Sequence, residues 1–84
     1  MYIAFDLPSK SKEAYTWASM ILGAELDTWS KKYNITYQTK TVKYIKRVIL
    51  EPDDMYSFFA LTWNPRNPEL RNYRVVEPMK LDNH

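Results

Sequence analysis

The sequence predicts one small α+β domain, a long amphipathic helix packed on a mainly antiparallel sheet, in the order β-α-β-β-β. Three observations carry this expectation. Ala14, Trp17, Ala18, Ile21, Leu22, Leu26, Trp29 and Tyr33 recur at three- and four-residue steps, the spacing of one helical face. Short runs rich in Ile, Val, Thr and aromatic side chains flank that stretch on both sides. The chain has 84 residues, 45% of them hydrophobic, which suffices for one core but not for two. The domain is expected to span residues 1–78, with 79–84 as a tail.

Tyr2-Ile-Ala-Phe-Asp-Leu7 reads as a first strand, stopped by Pro8. Ser9 or Ser11 then offers an N-cap oxygen, and Glu13 sits in the first turn, where the helix dipole favours an acid. The helix is expected to end near Lys31, Lys32 and Asn34, with lysines at its negative end. Gly23 lies inside it at a cost of about 1 kcal/mol relative to Ala. Because Leu22 and Leu26 stay in phase across it, a close-passing backbone is the expected reason.

Residues 35–50 favour strand by composition, but their alternation breaks parity between Tyr37 and Val42. A bulge or turn near Gln38–Thr41 would reconcile the two halves. A helical wheel over 40–50 also separates lysines from apolar residues. The Glu51-Pro-Asp-Asp54 turn signature decides for strand, because it then joins two β-rich runs, 47–50 and 55–63, as a hairpin. On this reading Met55–Trp63, apolar on both parities, lies inside the sheet. The two prolines of 64–68 mark a loop, and Tyr73–Glu77 is a last strand cut off by Pro78. Trp17, Trp29, Phe58, Phe59 and Trp63 are expected in the core.

Composition removes most chemistry. The chain has no cysteine, one histidine (His84) and one glycine. Disulfides, thiolate zinc sites, histidine-cluster metal sites and Ser–His or Cys–His nucleophiles therefore lack their parts, and no glycine-rich phosphate loop can be written. Glu51, Asp53 and Asp54 cluster beside Pro52, where carboxylates serve as turn formers. The expectation is a non-enzymatic protein without cofactor. No apolar run reaches the roughly 18 residues of a membrane span, and Met1–Asp6 carries no basic lead, so a soluble, cytoplasmic protein is expected.

Charge supplies the positive signal. The net charge is only +2, yet no acid occurs between Asp27 and Glu51, a window holding Lys31, Lys32, Lys40, Lys43, Lys46 and Arg47. Segregation of this kind makes a local positive field that net charge conceals. Tyr37 and Tyr44 interleave with those cations, and Arg71, Tyr73 and Arg74 repeat the mixture near the final strand. Cations suit phosphates, and flat rings suit bases. The nine residues Tyr37, Lys40, Lys43, Tyr44, Lys46, Arg47, Arg71, Tyr73 and Arg74 are therefore the candidate site for RNA or another polyanion. The plainer account of the same residues is a solvated face that keeps a strand edge unpaired. No zinc finger, recognition helix or RRM-type aromatic consensus occurs, and a βαββαβ unit would need a second helix that is not legible. Recognition of backbone and shape, without sequence readout, is the expectation. The competing class is a protein-binding inhibitor or adaptor that contacts a host protein through an exposed strand. A homodimer is expected in either case, because a domain this small gains stability from association.

In composition (rich in Lys, Asn, Tyr and Thr, nearly glycine-free, without cysteine and short) the chain resembles the small accessory proteins of large tailed phages. Many of those blunt host defence or toxin–antitoxin systems. The resemblance implies a non-enzymatic antagonist and assigns no residue.

Overall fold

A computed structural model describes residues 1–77; Pro78 and the expected tail, 79–84, lie outside the described residues. The α+β class and the long helix are as expected. Four strands, β1 (Tyr2–Asp6), β2 (Gln38–Val42), β3 (Ile45–Ile49) and β4 (Arg74–Val76), form one sheet of order β2-β3-β1-β4. Every neighbouring pair is antiparallel. Helix α1 (Lys12–Tyr33) follows β1, and α2 (Met55–Thr62) and a 3-10 helix (Pro68–Arg71) lie between β3 and β4.

Helix α1 is built as its sequence specifies. The Ser11 side chain accepts a hydrogen bond from the Ala14 amide at 3.0 Å, and Glu13 occupies the first turn. At the other end Asn34 adopts φ 56°, and the Ile35 amide donates to the Ser30 carbonyl at 2.9 Å, closing the last turn. Leu22, Leu26 and Trp29 are buried. Trp17 departs from expectation: it is 57% exposed, as is Met20 at 69%. The buried positions 22, 26 and 29 define the core stripe, and at 100° per residue Trp17 and Met20 point to the far side of the helix. Gly23 also departs. A Cβ built there meets nothing within 4 Å, so no close-passing backbone explains the glycine.

Of the bulge or turn expected near 38–41, the structure has a turn, a tight hairpin that falls just after that stretch. The turn is Lys43-Tyr44, two residues long, with Thr41 opposite Lys46 and Val42 opposite Ile45. Lys43 takes φ 57°, a conformation that costs a residue other than glycine about 1 kcal/mol. The hairpin brings Tyr37 and Val48, of opposite parity, to the helix side, while Val42, still within β2, faces the other way with its partner Ile45.

The larger correction is Met55–Trp63. It is a helix, not an inner strand, and Glu51–Asp54 leads into it instead of closing a hairpin. Its residues shielded from solvent, 55, 56, 58, 59, 62 and 63, follow helical spacing, which β-prone composition obscures. Asp53 and Asp54 precede its positive end. Eight residues are too few for a helix to persist alone, so tertiary packing decides its state. Phe59 is fully buried against Phe5 of β1, Trp29 of α1, Trp63 and Tyr73, with ring centroids 4.8–6.5 Å apart. The resulting order is β-α-β-β-α-β with β3 between β1 and β2, the split βαβ arrangement.

All the large buried side chains lie on one side of the sheet. Ile3 and Val48 are paired and wholly buried, and Phe5 joins them beneath α1 and α2. Tyr56 ties α2 to two strand ends: its hydroxyl accepts from the Leu50 amide at 3.0 Å and donates to the Met1 carbonyl at 2.7 Å. Both core indoles are satisfied, Trp29 by the Thr62 hydroxyl and Trp63 by the Leu70 carbonyl, each at 2.8 Å.

Gly23→Ala is expected to stabilise the protein by about 1 kcal/mol, because helix propensity improves and nothing obstructs the methyl group. That corresponds to a melting temperature about 4–8 °C higher, measured by circular dichroism. Tyr56→Phe is expected to cost about 1–3 kcal/mol by leaving the buried Leu50 amide without an acceptor. A lower urea midpoint at unchanged slope would report it.

Candidate functional site

Alternation along each strand sends one set of side chains to the helices and the other to the opposite, helix-free face. Ile3, Phe5 and Val48 mark the helix side. Tyr2, Ala4 and Asp6 of β1 therefore lie on the open side, and the register carries the rest. Ala4 is opposite Arg47 on one flank and Arg74 on the other, and Arg47 is opposite Lys40. One row across the sheet thus reads Lys40–Arg47–Ala4–Arg74. With strands about 4.8 Å apart, Lys40 and Arg74 are about 14 Å apart at their backbones.

The flanking rows are mostly apolar. Val42, Ile45, Ile49, Tyr2 and Val76 share this face and are each half-buried, beside Gln38 and Asp6. Arg47 lies over the Tyr2 ring, its guanidinium carbon 4.7 Å from the centroid. Its buried Nε has no hydrogen-bond partner among the described residues. Arg74 donates to the Asp6 carboxylate at 2.9 Å, with the two side chains 55% and 69% exposed. An ion pair so open to water contributes about 0–1 kcal/mol and exchanges readily for another anion. It is the sole ion pair among the described residues, so neither Lys40 nor Arg47 has a carboxylate partner there.

Of the nine residues expected to act together, Lys40, Arg47 and Arg74 form this row, and the fold separates the other six. Lys46 falls on the helix side, opposite Phe5 and Thr41, where burial pushes its ammonium below the ordinary lysine value. Lys43 occupies the hairpin turn; Tyr44 beside it packs edge-on against Tyr15 of α1, centroids 5.7 Å apart. Tyr73 is a core ring against Phe5 and Phe59. Arg71 lies in the 3-10 helix, its Nη2 3.5 Å from the Asn64 side-chain oxygen. Tyr37 turns towards α1, where its hydroxyl donates to Asp27. Burial, with that hydrogen bond and the Asp27 charge, pushes the Tyr37 pKa up to about 12.

The aromatic residue on the open face is Tyr2, which the charge-window reading missed. Its signal was the alternation of Tyr2-Ile3-Ala4-Phe5-Asp6, which places Tyr2 opposite in sense to Ile3 and Phe5. A flat face with three cations in register, one ring and aliphatic flanks can hold phosphates and planar groups together. Among the described residues, no helix is long and apolar enough to cross a membrane. Comparison with protein-family models, curated proteins and solved structures finds no match to this chain.

The raised Tyr37 pKa has a sign that can be checked. The unfolded phenol ionises near pH 10 and the folded one near 12, so the folded state holds the proton more tightly. Its contribution to stability is complete below pH 10 and is lost as pH rises through 12. Melting temperatures between pH 9 and 12 are expected to fall less steeply for Tyr37→Phe than for the parent chain.

Proposed function

We propose that the open sheet face binds RNA through its phosphate backbone, with Lys40, Arg47 and Arg74 as the cationic contacts. One observation carries the reading: Lys40 stands directly opposite Arg47 on an uncovered face, without a carboxylate partner among the described residues. Like charges opposed across two strands cost stability, by a few tenths of a kcal/mol to about 1. A polyanion laid across the strands removes that cost and gains an electrostatic contact at each cation. Arg74 extends the row, and its exposed pairing with Asp6 yields to phosphate at little expense. A four-stranded sheet with one helix-free face is also a geometry on which RNA is commonly bound. The second reading, a protein-binding inhibitor or adaptor, draws on the exposed pair Trp17 and Met20 of α1.

Salt separates the two. Three phosphate contacts predict a slope of log K against log salt of about −2.1 to −2.7, an affinity loss of about 20- to 40-fold between 50 and 200 mM. An apolar protein contact responds little. In a fluorescence-anisotropy titration with labelled RNA, Lys40→Gln is expected to weaken binding several-fold and reduce the slope by about one contact. Lys46→Gln, altering a lysine on the helix side, is expected to leave both nearly unchanged. Equal effects of the two substitutions would show that general charge, and not this row, attracts the ligand.

A further inference from the structure

We infer that Tyr2 and Arg47 form a stacking platform for an unpaired base, so that the RNA bound is single-stranded; this rests on the RNA-binding reading above. The guanidinium of Arg47 lies over the Tyr2 ring, its carbon 4.7 Å from the centroid, and lacks an ion-pair partner among the described residues. Tyr2 occupies one side of the guanidinium. The other side is the surface on which a second planar group stacks, as bases do on arginine planes in single-stranded RNA complexes. Ordering comes in advance, because the contact with Tyr2 and the burial of Nε restrain a side chain that otherwise loses much rotamer freedom on binding.

The surroundings select the strand form. Ile45 and Ile49 precede and follow Arg47 on the same face of β3, Val42 lies on the neighbouring β2, and Val76 lies on β4 beyond β1. Each is half-buried. A duplex keeps its bases stacked inside and would set charged phosphates against these aliphatic groups. A single strand turns base faces onto them while its phosphates meet Lys40 on one flank, Arg74 on the other and the charge of Arg47 between them. Cations alone would make no such distinction. Intercalation of apolar and cationic side chains on one flat face does.

The test compares three probes at 50 mM salt by fluorescence anisotropy: a labelled 12-nucleotide oligouridine, a 12-base-pair RNA duplex and, by competition, inorganic polyphosphate. The intact chain is expected to bind oligouridine about 10-fold tighter than the duplex. Tyr2→Leu and Arg47→Lys, the second retaining the charge but not the plane, are each expected to lose about 10-fold on oligouridine and much less on polyphosphate. Tyr2→Phe, which keeps the ring, is expected to restore oligouridine binding. If Tyr2→Leu fails to fold, Arg47→Lys alone decides. Equal affinity for the three probes, with losses in the variants that do not distinguish them, overturns the platform and leaves the cationic row standing. Absence of binding to all three overturns the row and the platform together.

Discussion

The structure turns on the burial of one ring. Phe59 reaches Phe5 of β1, Trp29 of α1, Trp63 after α2 and Tyr73 before β4, and is itself wholly buried. A single aromatic side chain thereby joins strand, both helices and the final strand's approach on one side of the sheet. Such rings bury on the order of 150–250 Å² each, and in a domain of this size few other groups can supply comparable driving force. Holding both helices to one face has a direct consequence. The opposite face receives no cover from any described helix, and the strands' side chains there are covered only by one another.

What they project follows from period two and from register. Lys40, Arg47 and Arg74 are separated in sequence by up to 34 positions, yet the ladders bring them into one row with Ala4. Lys46, adjacent to Arg47 in the chain, goes to the other side for the same reason. The proximity of charges in sequence was thus a poor guide to their proximity in space. Within a strand, neighbours are opposed; across strands, distant residues are side by side. The row keeps like charges opposed at Lys40 and Arg47, an arrangement that no carboxylate among the described residues relieves.

The two misread segments failed for separate physical causes. In Met55–Trp63 the aromatic and β-branched content favours strand, while the spacing of 55, 56, 58, 59, 62 and 63 favours helix. In an eight-residue element neither preference amounts to much, and the pocket offered to Phe59 and Tyr56 decides. In 35–50 the hairpin turn is Lys43-Tyr44, without Gly, Asn or Asp to declare it, and Lys43 accepts a left-handed φ that its side chain does not favour. Without turn residues, the parity break alone placed the interruption near 38–41, short of its position at 43–44. Trp17 misled differently: it belongs to a helical series at the right spacing, but the stripe that meets the sheet is centred on Leu22, Leu26 and Trp29, and Trp17 lies off it.

By itself the sequence determined the elements whose signals are local. Those are the length of α1, a serine cap at 9 or 11 and the Asn34 terminus, the first and last strands, and the α+β class that follows from one long helix among β-prone runs. Each of these rests on periodicity or capping within a few residues, where the chain carries its own instructions. Only the tertiary structure decided that 55–62 coils, that β1 lies between β3 and β4, and that Tyr2 joins Arg47 while Tyr37 and Tyr73 turn inward. Those outcomes depend on which side of the sheet the core occupies and on the register between distant strands. Both are settled by long-range packing, and no short window of sequence contains them.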